Sequence, residues 1–358
     1  MSQKETISYN HFMKILVSAL ETSANVHLKE LLKHLPDDIE LSGIFDKSLG
    51  NPNYDLSSLA IMGFVDAIKR LPFFFKLKTK MVTLSKDVDK VLLIDSSGFN
   101  LPLAKAIKKE YPNKEIIYYI LPQAWVWKKG RVKKLELYCD KLCSIIPFEQ
   151  ELYSKKDKIT YVGHPLLDEI KVLKDNLTTN NKIAFLPGSR KSEIQNLMPI
   201  YKQIASQLDK KAILVIPPHF SKKYIDDTYD DISGFEISND THSTLIDVDF
   251  AFICSGTATL EAALIGTPFV LCYIAKKFDY FIGSRVINLP YVGLANIFFD
   301  KMGKPAMHKE LLQDDVSVQN VIDAYKNTKT DEFLKHSKIL REYLKHGSSK
   351  VVADIILK

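Results

Sequence analysis

Apolar residues in this chain gather in short continuous runs, and between the runs they recur at helical spacing. Lys14 to Ala19, Val91 to Ile94, Ile116 to Ile120, Lys141 to Ile145, Lys182 to Leu186, Ala212 to Ile216, Phe250 to Cys254 and Phe269 to Tyr273 read as strands covered on both faces, the mark of a parallel sheet. Weaker runs at Asp37 to Ile44 and Phe235 to Ile237 read as further strands. Helical spacing occupies Val26 to Leu35, Ser57 to Ile68, Leu101 to Lys109, Ile194 to Leu208 and two segments within Leu334 to Lys358. Strand and helix alternate, pause in the charged stretch Asp168 to Asn181, and start again. The pattern predicts an α/β chain of two Rossmann-like domains facing across a cleft. Residues 13–170 form the first domain and 171–330 the second. Residues 331–358 are terminal helices placed to pack back on the first domain, and 1–12 are a polar tail.

The length of 358 residues agrees with two ordinary domains. With 46% apolar and 26% charged residues there is material for real cores. A net charge of +6 is too weak to argue for nucleic acid but suits an anionic substrate or an anionic membrane surface. The four cysteines form neither a C-x-x-C pair nor a Cys/His cluster, so reduced thiols in a cytosolic protein are expected and no metal site. No apolar run approaches the roughly 20 residues of a membrane span.

Chemistry concentrates where strands end. After Phe250 to Cys254 come Ser255, Gly256 and Thr257, then a helical run to Ile265 stopped by Gly266-Thr267-Pro268. Such a turn offers backbone N–H groups and the positive end of a helix to an anion. Glu261, one turn in, is placed to reach a sugar diol, although an ordinary capped core helix would read the same way. Lys182 to Leu186 likewise runs into Pro187-Gly188-Ser189-Arg190, and Arg190 supplies a fork-shaped cation suited to a diphosphate. In the first half, Val91 to Ile94 ends at Asp95, a position that could be catalytic or a plain helix cap. Phe73, Phe74 and Phe75 sit between Lys69, Arg70, Lys76, Lys78 and Lys80. That segment reads as core with a basic rim or as a patch that dips into a bilayer. Trp125 and Trp127 precede Lys128, Lys129 and Arg131, which fits a sugar-stacking floor or nucleic acid. Asp87-Val88-Asp89 and Asp247-Val248-Asp249 each stand just before an apolar strand and are read as decoys, not metal-bound sugar-nucleotide motifs.

Taken together, Leu186 to Ile194 (LPGSRKSEI), Ser255 to Pro268 (SGTATLEAALIGTP), Tyr161 to Glu169 (YVGHPLLDE), Leu121 to Trp127 (LPQAWVW) and Tyr291 to Asn296 (YVGLAN) resemble the lipid-A-disaccharide synthase family, in the family's order and over nearly the whole chain. The resemblance implies the GT-B architecture of an inverting glycosyltransferase in lipopolysaccharide biosynthesis of a Gram-negative bacterium. It implies transfer of 2,3-diacylglucosamine from UDP-2,3-diacylglucosamine to the 6'-hydroxyl of 2,3-diacylglucosamine 1-phosphate (lipid X), without cofactor or metal. Asp95 and Glu21 are then the catalytic acids. Gly188, Ser189, Arg190, Ser255, Gly256, Thr257, Glu261, Asn296, Glu310 and Gln313 form the donor site. Met62, Phe64, Phe73, Phe74, Phe75, Lys76, Trp125 and Trp127 face acceptor and membrane, on the cytoplasmic side of the inner membrane. The family's usual Gly-Glu-Thr-Ser-Gly-Asp is here Leu20-Glu21-Thr22-Ser23-Ala24-Asn25, and Gly98 stands where a second acid is common, so the acceptor-side acids are fewer. Those departures motivate a non-catalytic UDP or lipid binder as a second reading, and another UDP-sugar enzyme of the same architecture, such as a 2-epimerase, is a third. A nucleic-acid partner ranks last, since no recognition module accompanies the tryptophans.

Overall fold

The computed structural model describes residues 12–56, 71–125, 130–177, 179–254, 256–274 and 290–358. The helix read at Ser57 to Ile68, the polar tail up to residue 11 and the tip of the Trp125–Trp127 loop lie outside these residues. The chain forms two compact units, one running to Glu169 and resuming at His346–Lys358, the other Ile170–Lys345.

The first unit alternates β1 (Lys14–Ser18), α1 (Thr22–Leu32), β2 (Glu40–Phe45), β3 (Tyr54–Asp55), α2 (Leu71–Leu84), β4 (Lys90–Ile94), α3 (Ser97–Glu110), β5 (Glu115–Tyr119), α4 (Gly130–Tyr138), β6 (Lys141–Ser144), β7 (Ile159–Tyr161) and α5 (Pro165–Glu169). Its strands make one parallel sheet in the order β3-β2-β1-β4-β5-β6-β7. Successive β1 residues divide between two cores. Leu16 packs with Leu93, Tyr118 and Leu142, whereas Ile15 and Val17 pack with Ile94, Tyr119 and Cys143. A sheet covered on both faces needs the continuous apolar runs seen in the sequence.

The second unit repeats the plan with β8 (Lys182–Leu186), α6 (Lys191–Gln207), β9 (Lys211–Val215), α7 (Lys222–Tyr229), β10 (Glu236–Ser238), α8 (Thr241–Asp247), β11 (Phe250–Ile253), α9 (Thr257–Ile265), β12 (Phe269–Tyr273), α10 (Leu294–Lys301), β13 (Lys309–Leu312), α11 (Val318–Lys326) and α12 (Thr330–Leu344). Its parallel sheet is ordered β10-β9-β8-β11-β12-β13. Strands β3 and β13 were absent from the sequence reading: one is a two-residue bridge, and the other, KELL, carries charge at an edge.

The terminal helices divide differently from the sequence expectation. Helix α12 stays in the second unit, where Arg341 lies 8% exposed against the C-terminus of α9. Its guanidinium donates to Leu264 O (2.7 Å), Ile265 O (2.9 Å) and Lys174 O (3.2 Å), so the buried cation is held by helix-end carbonyls and the negative end of the dipole. Only the last helix, α13 (Ser348–Leu357), belongs to the first unit. Asp168 accepts from Gly347 N (2.7 Å) and Ser349 N (2.8 Å), supplying the N-terminal cap that Gly347 cannot. Val352, Ala353 and Ile356 then close the core around Ile15 and Val17.

A buried acid sits at the end of β6. Ser144 has one hydroxyl proton, yet its Oγ lies 3.0 Å from Ile146 O and 2.6 Å from Glu149 Oε2 while accepting from Ile146 N at 3.2 Å. Ser144 shares that proton between the two acceptors, and its donation to Glu149 favours the ionised carboxyl. Burial works the other way and outweighs it, pushing the Glu149 carboxyl up to about 8, and its other oxygen is enclosed without a partner among the described residues. The native state therefore holds one more proton than the unfolded chain between the ordinary value of 4.5 and about 8. Across that window Glu149 costs stability as pH rises, by about 1.4 kcal/mol per pH unit. Glu149→Gln should remove this slope, so urea midpoints of variant and parent converge near pH 5 and separate in the variant's favour towards pH 8. Parallel midpoints across that range would mean that Glu149 is ionised in the fold.

Candidate active site

In each sheet the strand order reverses once. In the first unit β1 and β4 are neighbours although β2 and β3 separate them in sequence; in the second, β8 and β11 are neighbours although β9 and β10 intervene. The loops leaving such a pair run in opposite directions, which leaves a crevice at the carboxyl ends of the strands where ligands of open α/β sheets bind.

At the first crevice stand Glu21, three residues past β1, and Asp95, directly past β4. The turn is unusual: Asp95 (φ 51°) and Ser96 (φ 42°) are consecutive non-glycine residues in the left-handed region. Ser96 Oγ donates to Glu21 Oε1 at 2.9 Å, tying the two strand ends together. The Asp95 carboxyl is held above the usual carboxylate range, first by burial and then by the Glu21 charge; the Ser96 backbone N–H and His27 pull it back. His27 itself is paired with Glu169 through Nδ1.

The changed residues near Glu21 turn out to be structural. Asn25 is buried, and its Nδ2 donates to Ala19 O (2.9 Å) and Glu21 O (2.8 Å) while its Oδ1 accepts from Asp46 N (2.7 Å). A carboxylate could not make the two donations. Ala24 is fully buried in the core. Gly98 lies exposed in α3 with open space around it.

The second crevice pairs the loop Pro187–Arg190 with the start of α9. Gly188 adopts φ +98°, and a Cβ there would meet Glu193 Oε2 at 2.5 Å and Cys254 Sγ at 3.2 Å. This first turn is held from within. Its amides are already taken, because Glu193 Oε2 accepts from Ser189 N (3.3 Å) and Arg190 N (3.2 Å). The Arg190 guanidinium rests one edge on Glu193 Oε1 at 3.0 Å and is 76% exposed, so it still presents a cation to the crevice. The signal for Glu193 was in the sequence: an acid three residues after a cap position is the capping-box spacing. The second turn is uncapped. Gly256 (φ +147°) begins α9 with no side-chain cap, and Gly256 and Thr257 are exposed, which leaves a helix N-terminus open to an anion. Ser255 lies outside the described residues. Glu261 is 16% exposed, 3.7 Å from His242 Nε2.

The remaining donor-side candidates split. Asn296 is fully buried; its Nδ2 donates to His308 O (3.0 Å) and Glu310 Oε1 (2.8 Å), and its Oδ1 accepts from Met307 N (2.8 Å) and His308 N (3.1 Å). Glu310 also accepts from Val292 N (2.8 Å) and Gly293 N (3.0 Å). These two side chains brace the loop before α10 and have little capacity left for a ligand. Gln313 ends β13 in the left-handed region (φ 54°) with its Nε2 unpartnered among the described residues.

Of the aromatic patch, Phe73 and Phe74 pack on the core of the first unit, and Phe75 is on the surface, 60% exposed, with Lys78 Nζ 4.9 Å from its ring centre and Lys76 exposed beside it. Met62, Phe64 and Trp127 lie outside the described residues. Trp125 stands edge-on to Phe148 at 5.3 Å. The aspartate pairs are used at the opposite strand ends: Asp89 accepts from Lys14 N, and Asp247 pairs with Lys182. Among the described residues no group of three or more His, Cys, Asp and Glu is placed to hold a metal ion, and no helix is long and apolar enough to cross a membrane.

The family profile described as lipid-A-disaccharide synthetase matches residues 15–354. The chain belongs to the lipid-A-disaccharide synthetase family. It is 49% identical over 353 residues to the lipid-A-disaccharide synthase of Helicobacter pylori (strain G27), covering 95% of this chain and 97% of that one. Against the synthase of Campylobacter jejuni (strain RM1221) the identity is 47% over 365 residues, covering 95% and 98%. Among solved structures, the UDP-GlcNAc 2-epimerase of Neisseria meningitidis bound to UDP-GlcNAc superposes with a TM-score of 0.64 at 10% identity, covering 97% of this chain and 99% of that one. The calicheamicin glycosyltransferase CalG4 does so at 0.58 and 11%, covering 97% and 98%. These likenesses place the family member in the GT-B fold shared by glycosyltransferases and epimerases, and its sequence relatives separate it from the epimerases.

The glycines make a sharp test of the second crevice. Gly188→Ala should destabilise the protein by roughly 1–3 kcal/mol, since it adds both a clash and a left-handed penalty. Gly98→Ala, in a helix with open space, should cost nothing or add up to about 1 kcal/mol. Chemical denaturation of the two variants checks the contrast.

Proposed function

We infer that this chain is a lipid A disaccharide synthase, transferring 2,3-diacylglucosamine from UDP-2,3-diacylglucosamine to the 6'-hydroxyl of 2,3-diacylglucosamine 1-phosphate. The products are the tetraacyl disaccharide 1-phosphate and UDP. What supports it above all is family membership over residues 15–354, with an acid at one strand-order reversal and a cation beside an open helix N-terminus at the other.

Each group then has a task. Asp95, ionised, takes the proton of the attacking 6'-hydroxyl as the new C1–O bond forms. The bond from C1 to the diphosphate breaks from the opposite face, inverting the anomeric centre, and its electron pair leaves with UDP. Glu21 orients Ser96 and the Asp95 turn. Arg190 and the N–H groups around Ser255, Gly256 and Thr257 meet the charge developing on the diphosphate. Gly188 and Ser189 shape the loop that carries Arg190. Glu261 and Gln313 bind the uridine end, and Asn296 with Glu310 keep the Val292–Gly293 loop in place. The transfer needs no cofactor.

Both substrates carry acyl chains, so the enzyme works at the cytoplasmic face of the inner membrane, with Phe75 as the apolar wedge and Lys76, Lys78 and Lys80 as the cationic rim. Trp125 lines the acceptor side.

The deciding experiment is turnover of the two named substrates with and without EDTA. Equal disaccharide and UDP in both, and a loss of about 10²–10⁴-fold in Asp95→Ala, are expected. UDP binding without product would transfer the weight to the binder reading. Activity should fall as pH drops through the raised Asp95 value, because the base must be ionised. In Glu21→Gln, with the neighbouring charge gone, the midpoint of that acid limb in kcat/KM should move to lower pH; a midpoint that stays put would remove Asp95 from the role of base. Arg190→Lys should raise the donor KM rather than restore binding, since an ammonium cannot grip two phosphate oxygens as a fork does.

A further inference from the structure

The left-handed Asp95–Ser96 turn is held by side chains that have no direct part in the proposed transfer. Asn100, one turn into α3 and fully buried, folds back so that its Nδ2 donates to Ile94 O (3.1 Å) and to Asp95 O (2.9 Å). Its Oδ1 accepts from Ser18 Oγ (2.7 Å), at the last residue of β1. Tyr118, fully buried in β5, donates its hydroxyl to the same Asp95 carbonyl at 2.6 Å. The Asp95 N–H is bonded to Tyr119 O at 3.0 Å. The Asp95 carbonyl is therefore held by Tyr118 from β5 and by Asn100 from α3, while Ser18 of β1 steadies the Asn100 amide, at the point where β1 and β4 part. Two adjacent non-glycine residues in the left-handed region persist only where surrounding bonds over-determine them. With the backbone fixed this way, the Cα–Cβ direction of Asp95 is set before any substrate arrives, and the Ser96 N–H, on the same clamped peptide, bonds its carboxyl.

We propose that Asn100 and Tyr118 are positioning residues for the glycosyl transfer, clamping the Asp95 carbonyl so that the Asp95 carboxyl meets the acceptor hydroxyl in attacking geometry. The proposal rests on the reading of Asp95 as the base. Asn100 is the hub, because one amide serves β1, the end of β4 and the turn; Tyr118 shares the load at a single atom. Both act through Asp95 and touch no substrate.

The test measures kcat and the KM of each substrate in Asn100→Ala, Tyr118→Phe, Asp95→Ala and the two double variants, with melting temperatures alongside. Misplacing a catalytic group by about 1 Å costs on the order of 10²-fold, so Asn100→Ala should lose about that much in kcat with the donor KM unchanged. Tyr118→Phe, which keeps the ring and its packing, should lose roughly tenfold. In the Asp95→Ala background neither substitution should lower the rate further, since the group being positioned is gone. A residue that only stabilises the unit would lower the melting temperature and the active fraction yet leave kcat of the folded enzyme unchanged. An inactive Asp95→Ala beside full kcat in Tyr118→Phe and in folded Asn100→Ala would overturn the positioning role alone. Full activity of Asp95→Ala would overturn it together with the base assignment. A further rate loss in the double variants would also overturn it, by showing a route that bypasses Asp95.

Discussion

A parallel sheet buried on both faces cannot open anywhere along its length, so the residues proposed for the chemistry stand where the strand order reverses. The pairs β1/β4 and β8/β11 are the positions at which helices leave towards opposite faces, and the strand ends between them stay uncovered. Glu21, Asp95, Arg190, Gly256 and Thr257 all stand there. The rest of each unit, from the shared cores around Leu16 and Ile183 to the caps on the last helices, holds those two reversals rigid.

The two reversals solve the same problem by opposite means. At β8 the turn uses a glycine, where φ +98° costs little, and a carboxylate, Glu193, that gathers the loop amides from below. At β4 the turn uses Asp95 and Ser96, residues that resist left-handed backbone, and holds them with buried donors from Asn100 and Tyr118. Strain of about 1–3 kcal/mol per residue is set against hydrogen bonds of about 1 kcal/mol each, with the buried unpaired alternative costing more. A glycine could have taken the same backbone path, but it would present no carboxyl.

Asn25, where the family usually has an acid, and Asn296, within a stretch that resembles the family, illustrate how a candidate site position can be absorbed into the scaffold. Asn25 makes two donations and one acceptance to backbone groups around Glu21, work that suits an amide and not a carboxylate. Asn296 does the same for the loop before α10, with Glu310 as its partner. In the aromatic segment the change is one of burial: Phe73 and Phe74 serve the core, and Phe75 with its lysines keeps the surface character.

Much was legible in the order of residues. Continuous apolar runs ending in Asp95, in Pro187–Arg190 and in Ser255–Thr257 announced parallel strands, the two-domain plan and the turns at the strand ends, because burial on both faces and helix capping are local demands that a sequence must write out. The motifs in series also identified the family. Three things were decided only by the tertiary structure. Tyr118 reaches the Asp95 carbonyl from the next strand, and Ser18, on a strand far back in the chain, holds the Asn100 amide that reaches it too, so no local spacing could reveal the cluster. Short edge strands such as β3 and β13 are defined by a neighbour's hydrogen bonds more than by their own residues. The division of the terminal helices, α12 with the second unit and α13 with the first, follows from what Arg341 and Asp168 find to bind. Hydrophobic periodicity says that a helix has a face to bury; only the folded chain supplies the surface that receives it.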